Sequence, residues 1–251
     1  MKIGIICPSF PPSDAPDGIG DYTRILADAL ARCGSDVWVW TRWSHPGPEE
    51  IGRVKIVPFS DRWSLAALGG AARLARGQGL DVLNVQYVPD LFPAAGAVLA
   101  ALPLWLRVSA SAAVFTTSFH TLGGRSLRSR LRRYVLIRCS RGVISTNEEV
   151  TYLLGKYAAS ALSKTREIPI GSNIQPATLD REAVRSRVRS SLNLDNGASL
   201  LAHFGQFYPG KGVETLLEAA ALLSRAGLSF KILMIGGAKS EAEPYRRDLR
   251  A

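Results

Sequence analysis

Cysteine is scarce in this sequence of 251 residues, and its three copies lie far apart. Cys7, Cys33 and Cys139 show no ligand spacing, so neither a disulfide framework nor a zinc site is indicated, and a reducing compartment fits. Long hydrophobic runs are also missing. The longest, 94–106, is interrupted by Pro103 and ended by Arg107. A bilayer span needs roughly 20 apolar residues, so this run reads as a buried helix. Met1 to Pro8 is too short and too early broken for a secretory signal and reads as a first strand. Acidic residues are outnumbered, 21 against 31 Lys and Arg, which leaves a net charge of +10. That surplus favours anionic partners: nucleotides, a phospholipid surface or nucleic acid.

What is present is an alternation. Short, nearly continuous apolar runs at 2–7, 37–41, 54–57, 82–86, 114–117, 142–145, 167–170, 200–204 and 230–235 read as parallel strands buried on both faces. Helical spacing falls between them. Tyr22, Ile25, Leu26, Ala29 and Leu30 form one stripe, with Asp21 as N-cap and Gly34 as stop. Val213, Leu216, Leu217 and Ala220 form another, stopped by Gly227. The fold class is therefore α/β with a parallel sheet. The polar stretch 171–197 reads as a junction, giving a Rossmann-like lobe at 1–177 and a second lobe at 178–251. Two strands cannot cover a doubly wound core, so the second lobe is expected to be incomplete.

Three features carry chemistry. The loop after the first strand holds Gly18 and Gly20 beside a helix N-terminus, where backbone N–H groups suit a phosphate. The dipole alone contributes about 0.3–1 kcal/mol there. A plain turn explains the glycines equally well, and a dinucleotide fingerprint is disfavoured because the third glycine is missing. Next, several strands end in polar or aromatic residues: Gln86 and Tyr87, then Ser118 to Thr121, then Thr146 and Asn147. These ends would meet at the C-terminal edge of the sheet, where ligands bind in this architecture. His120 is the sharpest single candidate, for a sugar hydroxyl or a phosphate, although a lone histidine also caps loops. Lastly, Arg125, Arg128, Arg130, Arg132, Arg133, Arg138 and Arg141 crowd one segment with an apolar stripe of Leu127, Leu131, Tyr134 and Val135. Arg125, Arg128 and Arg132 beside that stripe suit an anionic membrane surface. The same leucines could instead pack the helix on the sheet. Nucleic acid has no motif in its favour.

The second lobe opens with Phe204-Gly205-Gln206, then Lys211-Gly212, between a strand and an amphipathic helix. Lys211 at the positive end of that helix can neutralise a diphosphate. With Gly18-Ile19-Gly20-Asp21, Asp81 to Tyr87, Thr116 to His120 and Ile168 to Gly171, the ordered set resembles glycosyltransferase family 4, retaining enzymes of the GT-B fold. The resemblance covers nearly the whole chain. It implies a hexosyltransferase using a nucleotide-diphosphate sugar, without metal or other cofactor. Gly18, Gly20, Gly205, Gln206 and Lys211 would bind the donor diphosphate, His120 would stand near the transferred sugar, and Gln86, Tyr87, Thr146 and Asn147 would line the acceptor cleft. The acceptor would be a sugar or a lipid-linked glycan of cell-envelope polysaccharide or glycolipid synthesis. The setting would be cytoplasmic, at the inner membrane face, with no nucleic acid involved. Three departures stand out. Gln206 replaces a frequent Arg. Ile170 and Ser172-Asn173 replace the usual Asn and Asp around Gly171. The family's later pair of glutamates has no counterpart, because Glu241 and Glu243 come too early and too close together. The chain is thus expected to be inactive alone. The rival reading is a non-catalytic acceptor-lobe module that docks a partner chain or an anionic membrane.

Overall fold

The computed structural model describes residues 1–11, 17–44, 47–61, 63–92, 96–109, 111–123, 126–174, 176–194, 197–236 and 245, with the backbone alone at Asp90, Gly96, Ala97 and Arg128. Pro12 to Pro16 of the glycine loop, Ala94, Arg125, Asn196, Gly237, Glu241 and Glu243 lie outside the described residues. The chain divides into two compact units, Met1–Ile174 and Gln175–Ala251.

The first unit runs β1 (Lys2–Ile6), α1 (Gly18–Arg32), β2 (Asp36–Thr41), β3 (Glu50–Ile51), β4 (Val54–Pro58), α2 (Leu65–Gly77), β5 (Val82–Tyr87), α3 (Gly96–Val108), β6 (Val114–Phe119), α4 (Leu127–Cys139), β7 (Gly142–Ser145), α5 (Glu148–Tyr157) and β8 (Thr165–Glu167). The strands form one sheet in the order β3-β4-β2-β1-β5-β6-β7-β8. Only the short β3 is antiparallel to its neighbour. Strand order reverses at β1 and β5, which creates the crevice where ligands of open α/β sheets bind.

Ile3, Ile5, Val37 and Val39 pack with Ala27 and Ala31 of α1 on one face. Leu83, Val85 and Tyr87 pack with α2, α3, α4 and α5 on the other. In β5 the period of two therefore sends apolar side chains to the helical core and leaves Asn84 and Gln86 for the face of α1. The apolar run ending at Leu106 forms α3, with Leu99, Leu102 and Leu106 buried and Pro103 inside the helix. Among the described residues no helix is long and apolar enough to cross a membrane.

Three local expectations are corrected. Helix α1 starts at Gly18 and is capped by Asp17, not by Asp21. Its buried face is Gly20, Thr23, Ala27 and Ala31 rather than the bulkier neighbouring stripe, because small residues let the helix lie close to the sheet. The strand expected at 167–170 is Thr165–Glu167; the Ile168 N–H still reaches Ser145 O at 2.8 Å, but Pro169 has no N–H with which to continue. Of the two readings open for α4, packing of its leucines on the sheet is not seen: the helix buries Ser129, Arg133, Leu136 and Ile137, and Leu127 and Leu131 face outwards. Gly34, at φ +86°, ends α1 as expected.

In the second unit, α6 (Arg181–Ser191), β9 (Ser199–Phe204), α7 (Val213–Arg225) and β10 (Phe230–Ile235) follow in order, with β9 and β10 parallel. Helix α6 lies in the stretch read as a bare junction. Asp180 caps it, accepting the Ala183 N–H at 2.8 Å. None of its residues is buried, so periodicity carries no strong signal there.

Gly20 is where α1 touches the loop after β1: a Cβ there would stand 2.1 Å from the Ser9 carbonyl oxygen, whereas one on Gly18 meets nothing within 4 Å. Gly20→Ala should destabilise the unit by about 1–3 kcal/mol, as overpacking does, and Gly18→Ala should leave it unchanged. Paired thermal melts of the two variants measure the difference.

Candidate functional site

The loop after β1 is organised by one carboxylate. Asp17 Oδ1 accepts the Ile19 and Gly20 N–H groups at 2.9 and 2.8 Å and the Ser9 hydroxyl at 3.0 Å. Two of the first N–H groups of α1 are thus already satisfied by a side chain. Of the two glycines expected to face a phosphate, Gly20 serves to bring this helix against its loop. The next turn of α1 sets the Tyr22 ring edge-on to His120, with centroids 5.0 Å apart.

His120 follows β6 and is 8% exposed. Its Nε2 lies 2.7 Å from Gln86 Oε1. The Gln86 amide donates through Nε2 to Asn84 Oδ1 at 2.7 Å. Asn84 in turn donates to Thr116 Oγ1 and Ser118 Oγ at 2.9 and 3.1 Å. The Ser118 hydroxyl is also placed to donate back to Asn84 Oδ1, at 3.3 Å. With the Gln86 amine committed to Asn84, its carbonyl faces His120, so the imidazole carries its proton on Nε2. Nδ1 is left as an acceptor, closed off from solvent and without a hydrogen-bond partner among the described residues. A buried acceptor left unmade is costly.

Burial pulls the His120 pKa down from 6.5 to about 4, only partly offset by the Asp17 carboxylate. The imidazole is neutral at physiological pH. It can orient a hydroxyl, and it adds no positive charge for a phosphate.

The strand ends do converge, though not all as cleft walls. Gln86 is fully buried and acts through His120. Tyr87 is 1% exposed and packs against Phe92 and Phe119 in the core. Thr146 is buried, its hydroxyl donating to Phe119 O at 3.2 Å. Asn147 caps α5 by accepting the Val150 N–H at 2.9 Å, and its amide reaches His120 O at 3.5 Å. Arg132 donates to Ser129 Oγ at 3.2 Å.

Asp17 and Asn84 carry more of this geometry than the sequence suggests, although Asn84 and Gln86 occupy alternate positions of an otherwise apolar strand, and Ser118 opens a polar strand end. Arg133 was one of many arginines, yet it is nearly buried and donates to Gly123 O. With His120, Arg130, Glu149 and Tyr157 it lines a cavity of about 480 Å³.

In the second unit, Gly205 and Gly236 meet so closely that a Cβ on Gly236 would fall 1.8 Å from Gly205 O. Gly205 N–H donates to Ile235 O at 2.9 Å. Gly212, at φ +74°, is the N-cap of α7 and offers no side chain to its first turn. Lys211 stands just before it, exposed, with Nζ 5.1 Å from the Tyr208 ring. A cation and a helix N-terminus thus lie side by side, both of the sign that attracts anions.

Gln86→Glu places a carboxylate against His120 Nε2. The imidazole midpoint, about 4 in the unchanged protein, should then rise by about 1–3 pH units, read by NMR titration of the ring. Because the folded value lies below the unfolded one, the stability held by neutral His120 is complete above pH 6.5 and is lost as pH falls towards 4. In urea titrations at several pH values, His120→Phe should remove that acid-side slope.

The model of Glycosyltransferase Family 4 matches residues 16–175, more than half of the chain. No curated protein matches. Among solved structures, a glycosyltransferase from Rickettsia africae superposes with a TM-score of 0.72 at 14% identity, over 99% of this chain and 63% of that one. Anabaena Alr3699/HepE, in complex with UDP and glucose, gives 0.67 at 15% identity, over 100% of this chain and 65% of that one. The catalytic domain of starch synthase IV from Arabidopsis thaliana, bound to ADP and acarbose, gives 0.65 at 12% identity, over 99% and 72%. The chain spans less than two thirds of the length of the first two. Its fold is of the GT-B type, and the chain belongs to Glycosyltransferase Family 4.

Proposed function

We propose that this chain takes part in transferring a hexosyl unit from a nucleotide-diphosphate sugar to a sugar or lipid-linked acceptor, with retention of configuration. The reading assigns the acceptor side to Met1–Ile174 and donor diphosphate binding to the second unit. The observation that carries it is His120: a neutral imidazole, oriented by Gln86, with an unpartnered Nδ1 at the C-terminal edge of the sheet. It lies inside the segment that matches the family.

A nucleotide-sugar donor agrees with the ligands of the structural relatives, UDP and glucose in Anabaena HepE and ADP in starch synthase IV. A diphosphate leaving group gathers negative charge as the glycosidic bond breaks. Lys211 and the N-terminus of α7 supply fixed positive charge to stabilise it, a role that needs no metal. Gly18, Gly20, Gly205 and Gln206 are assigned to the same diphosphate. Neutral His120 stands near the transferred sugar without competing for the phosphates. Asn147 borders the acceptor, while Gln86, Tyr87 and Thr146 support that region from within. The product belongs to a cell-envelope polysaccharide or glycolipid. The protein works in the cytoplasm at the inner membrane face, with Arg125, Arg128 and Arg132 towards anionic lipid.

The test is transfer of labelled hexose by the native protein, with the anomeric configuration of the product read by NMR. Lys211→Ala and His120→Ala should each lower kcat/KM on the order of a hundredfold, the effect of removing one preorganised electrostatic contact. Unchanged turnover in both variants, or an inverted product, would refute the reading.

A further inference from the structure

Helix α4 turns Leu127, Leu131 and Tyr134 of its apolar stripe away from the sheet, while Val135 packs against the core. Leu127, Leu131 and Tyr134 are 81%, 62% and 51% exposed. They form one wall of a groove of about 270 Å³, and Leu153, Leu154 and Tyr157 of α5 form the other. This groove adjoins the polar cavity that starts at His120. Leu122, Arg130, Arg133, Leu153 and Tyr157 line both spaces, which therefore make one continuous trough.

The trough changes character along its length. At one end stand His120, Thr121 and the exposed Glu149. At the other stand Leu127, Leu131 and Tyr134. The two guanidinium groups sit where the ends join. Arg133 is 8% exposed and anchored on Gly123 O. Arg130 is exposed, 5.9 Å from the Tyr157 ring. Glu149 lines the polar part only, so the join itself is cationic.

Polar, cationic and apolar lining in that order complements one kind of molecule: a head group with hydroxyls, then a phosphate, then a hydrocarbon chain. Arginine suits the phosphate, because its planar fork matches the oxygens. A flat membrane surface would cover Leu127 and Leu131 but leave the inner, polar part of the trough unused. We propose that the trough binds a lipid phosphate as the acceptor, its chain along Leu127, Leu131 and Tyr134, its phosphate at Arg130 and Arg133, and its head group towards His120. The assignment rests on the transferase reading above and names the acceptor class for it.

The test is calorimetric titration of the 251-residue chain with monomeric farnesyl phosphate, beside farnesol, inorganic phosphate and phosphatidylglycerol vesicles. Farnesyl phosphate should bind at least about tenfold more tightly than farnesol or phosphate alone. Arg130→Ala should reduce it to the level of farnesol, and Leu131→Asp should weaken both prenyl ligands about tenfold. Both side chains are exposed, and circular dichroism verifies that the variants fold. Equal affinity for farnesol and farnesyl phosphate overturns the proposal, as does binding that neither variant changes. Binding to vesicles alone would make the stripe a membrane contact. A dimer that Leu131→Asp dissociates would make it a self-contact. Either result also overturns the proposal. No donor is present, so the titration is independent of catalysis. Sugar transfer to a soluble acceptor without farnesyl phosphate binding would sink the trough and leave the transferase reading standing.

Discussion

The hydrogen bond between Gln86 and His120 is the contact on which the candidate site depends. Both side chains are buried on the face of the sheet that carries α1. An amide placed there must satisfy both of its ends, and Gln86 does so by donating to Asn84 and accepting from His120. Thr116 and Ser118 on β6 hold Asn84 from the neighbouring strand. Parallel pairing places Asn84 opposite Thr116 and Gln86 opposite Ser118. Strand register is thereby converted into the protonation pattern of one imidazole. A slip by one residue would turn this polar set into the leucine and valine core.

The second constraint is the closeness of α1. Gly20 lets the helix backbone meet Ser9, and Asp17 joins the loop to the first turn. Tyr22 is thereby brought to the His120 ring, and burial keeps that ring neutral. The same packing that stabilises the lobe removes the histidine's charge. In the second unit the arrangement is the opposite: Lys211 and the first turn of α7 are exposed, so positive charge remains available. The two units thus differ in what they hold, a buried neutral imidazole in one and an exposed lysine in the other.

Much of this was legible in the sequence. Runs such as Val82 to Tyr87 and Val114 to Phe119 announce parallel strands because both faces of a central strand are buried. His120 stands out as a polar group directly after such a run. Other features depend on tertiary context. Asp17 and Asp21 are equally good caps on paper, and only packing of the loop against Ser9 selects Asp17. The α4 stripe has ideal spacing for a core face, yet Leu136, Ile137 and the smaller Ser129 fill the space over the sheet instead. Burial of Arg133 has no sequence signature, because its partner is the backbone carbonyl of Gly123.

The nitrogen-15 shifts of His120, recorded at neutral pH with and without a nucleotide-diphosphate sugar, test the central claim most directly. The account predicts a neutral ring protonated at Nε2, with an Nδ1 resonance typical of an unbonded acceptor that moves when the sugar binds. A ring protonated at Nδ1, a charged imidazolium, or an Nδ1 that ignores the sugar would contradict it.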